Sequence, residues 1–280
     1  MHEQPLIVSR EGPVASLQLA QPKTLNAISL VSATALLQVL RSLASDSTLG
    51  AVVLSGAGRA FMAGGDLTYL ESSSPKGRAD NAHALIECLH TIIELMVSFP
   101  TPILTLVHGV VAGAGLGVML ASDLTIAAED TRFVFAYSDL GTSPDGGLTW
   151  LLARMIGVRR ALQFASLRTQ LDAEEALRLG LVQEVLDPQA LPERGKRLAV
   201  QLSALPRQAF LRTRRLLLES SNRTLRQQLD AERDAFVLCA ESDDFAEGIR
   251  AFRQRRRPKF SDIKPPTSNG DIDRVADSTG

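Results

Sequence analysis

The chain has 280 residues, 45% of them hydrophobic, and a formal net charge of −1 from 30 Lys and Arg against 31 Asp and Glu. This composition predicts a globular protein with a sizeable core. The balanced charge gives no general basic field for nucleic acid or an anionic membrane. Neither Cys88 nor Cys239 lies in a CxxC pair and there are only four His, so we expect free thiols and no metal site.

The N-terminal residues and the longest apolar stretch predict the cellular location of the protein. Residues 1–5 lack a basic segment followed by an apolar run, so we expect no signal peptide. The longest apolar stretch, 103–120, is interrupted by His108 and several glycines, and does not resemble a membrane span. We therefore expect a cytoplasmic protein with no membrane or nucleic-acid partner.

The first half of the chain alternates predicted strands and helices, which favours an α/β fold with a parallel sheet. Ser29 is the expected N-cap of the first helix, and Pro100 ends the second. Residues 55–66 are predicted to be a Gly- and Ala-rich loop, and 72–78 a mobile surface loop. The predicted strands cover residues 14–20, 51–54, 103–107, 124–128 and 133–135. The predicted helices cover residues 30–44, 81–98 and a segment ending near 122.

After residue 148 nearly every segment has a helical pattern, apart from one short strand at 182–186. Several of these helices carry apolar stripes that must be buried in the chain's own core or against another subunit. Residues 261–280 are polar and are predicted to be a disordered tail. The predicted helices cover residues 149–156, 159–166, 172–179, 190–204, 206–219, 225–239 and 243–253.

Two glycine-rich segments each follow a predicted buried strand. The first, 59–67, contains Gly64 and Gly65, which can leave backbone N–H groups uncovered; an ordinary Gly-Gly turn is the alternative. The second, 108–117, opens a helix, whose N-terminus suits an anion. Its GxG pattern lacks the third glycine of a dinucleotide fingerprint, because Val118 occupies that position, so we do not expect NAD binding.

Two uncovered backbone donors that converge on one point can bind the oxyanion of a reacting carbonyl or thioester. Each such donor contributes about 3–4 kcal/mol of transition-state stabilisation. Both segments follow strands, so they are expected at the carboxyl ends of those strands, where ligands bind in open α/β folds.

The order of these motifs resembles the crotonase (enoyl-CoA hydratase/isomerase) superfamily over residues 5–260. The motifs that carry the resemblance are Asn26-Ala27, Phe61-Met-Ala-Gly-Gly-Asp-Leu67, Gly109-Val-Val-Ala-Gly-Ala-Gly-Leu-Gly117, Ser122-Asp123, Gly141-Thr-Ser-Pro-Asp-Gly-Gly147, the 173–182 stretch and Arg257-Pro-Lys-Phe260.

The resemblance implies an α/β spiral of ββα turns with a C-terminal helical trimerisation region. It divides the chain into a core at 1–195, a helical oligomerisation segment at 196–260 and the tail at 261–280. It also implies an acyl-CoA thioester substrate, no separate cofactor, and assembly as a homotrimer or a dimer of trimers. Both glycine segments would then serve one oxyanion hole.

The resemblance assigns roles to particular positions. The oxyanion donors fall on Gly65 and Ala114. The positions that match CoA- or substrate-contacting residues are Lys23, Leu25, Ala27, Ala63, Gly64, Asp66, Leu67 and Gly113, together with Phe252 and Lys259 near the nucleotide end of CoA, often from a neighbouring subunit.

The family's hydratases use two glutamates, and here those positions are Gly117 and Tyr137. Adding water across a double bond calls for two groups that move protons. This departure disfavours a standard hydratase, although hydratase-like chemistry stays open as an alternative.

One carboxylate, Asp145, remains in a loop that carries the acting carboxylate in the superfamily's isomerases. As an ordinary turn residue it would instead cap the helix starting near Gly147. An isomerase needs only one base, which takes a proton next to the thioester and returns it at another carbon. We expect an enclosing set of apolar and aromatic side chains around Asp145, namely Phe133, Phe135, Tyr137, Leu140 and Trp150. The leading hypothesis is therefore a double-bond isomerase.

Two further alternatives stay open. In the superfamily's arylacyl-CoA dehalogenases the aspartate is a nucleophile assisted by a histidine on the preceding helix and lies near an aromatic residue; here His90 and Tyr137 fall at those positions. A half-exposed helix residue is the plain interpretation of His90. The missing glutamates also allow a non-catalytic acyl-CoA-binding subunit.

Overall fold

The computed structural model of the chain describes residues 4–72, 74–167 and 170–260. These residues form two β-sheets surrounded by helices. The strands are β1 Leu6–Glu11, β2 Val14–Leu19, β3 Ala51–Gly56, β4 Ala60–Met62, β5 Ile103–Val107, β6 Val110–Ala112, β7 Leu124–Ala128, β8 Arg132–Val134, β9 Gln170–Asp172 and β10 Glu184–Leu186. The helices are α1 Leu30–Ala44, α2 Leu67–Leu70, α3 Pro75–Val97, α4 Ala114–Leu120, α5 Leu148–Ile156, α6 Val158–Ser166, α7 Ala173–Leu179, α8 Leu191–Ser203, α9 Arg207–Glu219, α10 Leu225–Ala240 and α11 Asp243–Arg253.

The chain alternates between the two sheets. The larger sheet has the order β1-β2-β3-β5-β7-β10 and the smaller one β4-β6-β8-β9. Within them β2, β3, β5, β7 and β10 are parallel, as are β4, β6 and β8. Three successive turns, β3-β4-α2, β5-β6-α4 and β7-β8-α5, place one strand in the large sheet, the next in the small sheet, and then a helix. The expected spiral of ββα turns is confirmed.

The central strands β3 and β5 of the large sheet are buried on both faces, as their largely apolar sequences predict. Along β3, Val52 and Leu54 pack in the main core with α1 and α3, whereas Ala51 and Val53 pack with α8 on the opposite face. This alternation follows from the two-residue period of a strand. The sheet therefore holds the loops that follow its strands in fixed positions.

Most predicted elements are confirmed, and the first helix begins at the predicted cap. The Ser29 hydroxyl accepts from the Ser32 N–H, and the Ser32 hydroxyl accepts from the Ser29 N–H. The prediction of a loop throughout 55–66 was wrong, because β4 lies inside it and pairs with β6. β1, β6 and β9 were also not predicted.

The prediction of a surface loop at 72–78 was wrong for its second half. α3 begins at Pro75, because Pro at the first helical position needs no N–H partner. The Ser74 hydroxyl caps the helix by accepting from the Gly77 N–H at 3.0 Å.

The C-terminal helices expose much of their apolar surface in the single chain. α9 and α10 contain no buried residue, and the exposed side chains include Leu217, Leu225, Leu229, Phe236 and Val237. None of the helices that the structure describes is long and apolar enough to cross a membrane. The division at residue 195 stays a prediction, and the predicted tail lies outside the described residues.

One ion pair ties α9 to the core. Arg214 contacts both carboxylate oxygens of Asp123 at 3.2 Å, and Asp123 also accepts from the Ile103 N–H at 2.8 Å. Burial raises the pKa of Asp123, and the Arg214 charge and the Ile103 N–H oppose that rise. Asp123 thus joins β5, the end of α4 and the C-terminal helices.

Candidate active site

The two glycine segments meet at the carboxyl ends of β4 and β6. These strands are parallel neighbours, with Met62 beside Val111, so the chain leaves both at the same edge. A Cβ placed on Gly113 would lie 3.6 Å from the Gly64 Cα, which shows how closely the segments approach. Gly64 has φ +100° and Gly113 φ +51°, a region that favours glycine. The sequence-predicted convergence of the segments is observed.

Two backbone N–H groups at this meeting point have no partner among the described residues: those of Gly65 and Ala114. Ala114 is the first residue of α4, and the first N–H groups of a helix have no intrahelical acceptor. Gly65 lies in an isolated bridge with Ile28, in which the Ile28 N–H donates to the Gly64 carbonyl and the Asp66 N–H to the Ile28 carbonyl. The Gly65 N–H therefore has no acceptor among the described residues.

The 25–28 segment is held against the first glycine segment. The Ala63 N–H donates to the Leu25 carbonyl at 3.0 Å, and the Ile28 N–H donates to the Gly64 carbonyl at 2.7 Å. The buried Asn26 side chain donates to the Ala57 and Ala60 carbonyls. The predicted substrate-contacting positions on both segments are thereby brought together, namely Leu25, Ala27, Ala63, Gly64 and Gly113.

A hydrogen-bonded side-chain pair stands beside these donors. The Tyr137 hydroxyl donates to Asp145 Oδ1 at 2.6 Å. The Tyr137 ring also borders the glycine segments, because a Cβ on Gly113 would lie 3.9 Å from the Tyr137 Cζ. Ala136, just before Tyr137, has φ +65°, a conformation that costs about 1–3 kcal/mol for a non-glycine residue and is often found at functional sites.

The tyrosine of this pair is held in its protonated form. Burial and the neighbouring Asp145 charge raise the pKa of Tyr137 far above its usual value. Tyr137 therefore remains a hydrogen-bond donor throughout the physiological pH range, and it orients one oxygen of Asp145 while leaving the other available.

The alternative role of Asp145 as a helix cap is not observed. The N-cap of α5 is Gly147, with no side-chain cap, and only the backbone carbonyl of Asp145 accepts from the Leu148 N–H. The Asp145 side chain turns to Tyr137 instead.

The predicted enclosure of Asp145 is only partly correct. Phe133, Phe135 and Tyr137 are buried, and the Phe135 and Tyr137 rings meet edge to face at 5.4 Å. Leu140 and Trp150 are exposed in the single chain, and the Arg154 guanidinium lies 3.7 Å from the centre of the Trp150 ring. A helical segment that begins three residues after Asp145 directs Trp150 outward.

The predicted hydratase position on α4 has no room for a side chain. A Cβ on Gly117 would lie 2.9 Å from the Gly146 carbonyl oxygen, closer than real Cβ atoms come to backbone. The backbone that follows Asp145 thus occupies the space next to α4.

His90 is not brought to this pair. Its side chain is 45% exposed, and its Nδ1 lies 3.9 Å from a Glu87 carboxylate oxygen. The face of α3 that meets the site carries Leu85 and Leu89 instead: a Cβ on Gly65 would lie 4.0 Å from Leu85 Cδ2, and one on Gly146 3.0 Å from Leu89 Cδ2. These leucines were missed from the sequence, although their four-residue spacing on one helix face is visible there.

The remaining predicted binding positions lie outside this cluster. The Asp66 carboxylate caps α2, accepting from the Thr68 N–H at 2.9 Å, and Leu67 and Lys23 are exposed. Phe252 is 85% exposed at the end of α11, and the Lys259 N–H donates to Glu247 at 2.9 Å. No three His, Cys, Asp or Glu side chains in 4–72, 74–167 and 170–260 form a group that could hold a metal ion.

Known proteins with the same organisation carry out several reactions. The 1,2-epoxyphenylacetyl-CoA isomerase of Escherichia coli K12 is 35% identical over 90% of this chain and 96% of its own length. A 4-chlorobenzoyl coenzyme A dehalogenase of Arthrobacter sp. is 30% identical over 89% of this chain and 90% of its own. The crystal structure of an enoyl-CoA hydratase from Polaromonas sp. JS666 superposes with a TM-score of 0.85 at 33% identity, covering 91% of this chain and 99% of that one.

The family model for enoyl-CoA hydratase/isomerase matches residues 9–264. The fold, the paired glycine segments and these relatives agree: the chain belongs to the enoyl-CoA hydratase/isomerase (crotonase) family and is an acyl-CoA-processing enzyme of that family.

Proposed function

We propose that the protein is an enoyl-CoA double-bond isomerase that moves one proton with a single base, Asp145. The observation that carries the proposal is the 2.6 Å hydrogen bond from Tyr137 to Asp145 beside the two glycine segments. This bond orients one carboxyl group next to the proposed oxyanion donors, which supports a single-base reaction there. The E. coli relative is an acyl-CoA isomerase by name, which supports isomerisation of an acyl-CoA without naming a double-bond shift.

The proposed reaction begins with the thioester oxygen accepting from the Gly65 and Ala114 N–H groups. The free oxygen of Asp145 takes a proton from the carbon next to the thioester, and the negative charge moves onto the oxygen as a dienolate. Backbone donors aimed at that oxygen stabilise it without reorganising. The Asp145 carboxyl then returns the proton to the carbon at the far end of the dienolate, so that the double bond shifts and no atom is added.

Single-base chemistry fits the two positions where the hydratases have glutamates. Gly117 carries no side chain, and Tyr137 remains protonated because burial and Asp145 raise its pKa. Neither supplies the second carboxylate with which the hydratases move protons during water addition.

The test is turnover of 3-enoyl-CoA esters, followed by the absorbance of the conjugated 2-enoyl product. Asp145→Asn keeps the shape of the side chain and an oxygen that can accept from Tyr137, but it removes the base. We expect a loss of about 10²–10⁴-fold in kcat with acyl-CoA binding retained. Full activity in this variant would show that Asp145 is not the proton carrier.

The same protein distinguishes the alternatives when other substrates are supplied. Formation of 3-hydroxyacyl-CoA from 2-enoyl-CoA as the main activity would favour a hydratase. Chloride release from 4-chlorobenzoyl-CoA, lost in both Asp145→Asn and His90→Gln, would favour a dehalogenase. Tight binding of CoA esters without any turnover would indicate a binding subunit. The exposed position of His90 gives the dehalogenase reaction no support from this chain alone.

We also propose that the protein assembles as a homotrimer or a dimer of trimers through the C-terminal helices. The support is the exposed apolar face of α9 and α10, which contain no buried residue in the single chain. Such a face is unfavourable in water unless another surface covers it. Light scattering of the purified protein should give a mass of three or six chains, and Phe236→Glu should lower it.

A further inference from the structure

The turn that carries Asp145 is clamped between two helices. A Cβ on Gly117 of α4 would lie 2.9 Å from the Gly146 carbonyl oxygen. A Cβ on Gly146 itself would lie 3.0 Å from the Leu89 Cδ2 of α3. Gly146 is buried and has φ +56°, so a side chain there would also be strained. The residue after Asp145 therefore has little freedom to move towards either helix.

Gly117 is also fixed relative to one of the proposed oxyanion donors. It follows Ala114 by three residues on α4, which places both on the same side of the helix, about 4.5 Å apart along its axis. The distance from the Ala114 N–H to the Asp145 turn thus depends on how closely the turn approaches Gly117.

We propose that Gly117 is a positioning residue whose missing side chain lets the Asp145 turn lie against α4, within reach of an acyl group held by Ala114. This inference rests on the proposed role of Asp145 as the proton carrier. A side chain at 117 would displace Gly146, and with it Asp145, and would weaken the hydrogen bond from Tyr137.

The same contact determines which reaction the site can perform. A carboxylate side chain on α4 would need the volume that the backbone of the Asp145 turn fills. A carboxylate on the helix and a carboxylate on the turn are therefore mutually exclusive in this chain. Introducing glutamate at 117 should not add a second acid or base to a working Asp145; it should displace the first.

The primary test is Gly117→Ala, which adds one methyl group. Because misplacement of a reacting group by about 1 Å can cost about 10²-fold, we expect kcat for 3-enoyl-CoA to fall by that order while binding of a saturated acyl-CoA is kept. Gly195→Ala is the matched control. It lies on α8, where a Cβ would meet only the Leu106 side chain, at 2.6 Å, in the second core. It should lower thermal stability and leave kcat unchanged.

A double-mutant cycle separates positioning from general destabilisation. If Gly117→Ala already breaks the contact between Tyr137 and Asp145, adding Tyr137→Phe should lower kcat little further. Additive losses would overturn the proposal.

If Gly117→Ala folds poorly, the double variant Leu89→Val/Gly117→Ala is used instead. The smaller valine gives the turn room to shift towards α3. Stability should then recover while kcat stays low. Recovery of kcat together with stability would overturn the proposal, as would a wild-type kcat in Gly117→Ala. Activity in Asp145→Asn would instead refute the proposed function itself.

Discussion

The two sides of the candidate site present different kinds of chemical group. One side consists of backbone N–H groups from Gly65 and Ala114, held by strands and a helix start. The other is a pair of side chains, Tyr137 and Asp145, on a turn. The backbone side is a property of the fold and is expected wherever the fold occurs. The side-chain side can differ between relatives, which accords with isomerases, hydratases and dehalogenases sharing the family.

The difference has a mechanistic consequence. Backbone donors stabilise any oxyanion placed between them, so they serve every reaction that passes through an enolate or a tetrahedral centre. The side chains decide where protons go. Removing a backbone donor should therefore lower kcat more than altering the tyrosine of the side-chain pair.

Between the backbone donors and the tyrosine, the larger effect is expected from Ala114→Pro. Ala114 is the first residue of α4, where proline is compatible with the helix because no intrahelical bond is lost. The preceding Gly113 has no Cβ to clash with the proline ring. The substitution removes one donor, and we expect kcat to fall by about 10²–10³-fold.

The matched control for this variant is Ala114→Gly, which keeps the N–H group. It should retain most of the activity with a similar melting temperature. If Ala114→Pro is folded and as active as the parent, the Ala114 N–H is not an oxyanion donor.

A smaller effect is expected from Tyr137→Phe. A hydrogen bond to a charged group contributes about 1.5–3 kcal/mol, so its loss should lower kcat by about 10–10²-fold. A parental kcat in a folded Tyr137→Phe variant would mean that the hydroxyl does not orient the reacting carboxylate.

The backbone side of the site could be predicted from sequence more fully than the side-chain side. Gly64-Gly65 and the segment around Ala114 are encoded locally, by glycines that follow buried strands. Which carboxylate faces the site was predicted only through the family resemblance, since Asp145 in a Pro-Asp-Gly-Gly turn equally predicts a cap. Its bond to Tyr137 spans eight residues, and Ala136, next to Tyr137, has a positive φ that no local pattern predicts.

The close contacts of Gly146 with α3 and α4, and the outward position of Trp150, could not be predicted from the sequence for a related reason. Leu89, Gly117 and Gly146 lie on three separate elements, and only tertiary packing brings them together. The three-residue strands β4, β6 and β9 were missed because three residues are too few to show a two-residue period. In contrast, α1 and α11 were predicted with their observed limits, since capping residues and long apolar stripes are local signals.

The smallest effect is one of stability, and it tests whether the phenol is buried and neutral as described. Burial and then the Asp145 charge raise the pKa of Tyr137 above its ordinary value of about 10. Above that pH the unfolded chain loses the phenol proton while the folded chain keeps it, so the folded state should lose stability as pH rises. The contribution of one such proton is at most about 1.4 kcal/mol per pH unit. Denaturant unfolding between about pH 9 and pH 11 measures this slope, and Tyr137→Phe should reduce it. Since burial is the larger cause of the raised pKa, Asp145→Asn should keep most of this slope. Loss of the slope in Asp145→Asn would show that the Asp145 charge, and not burial, keeps the tyrosine protonated.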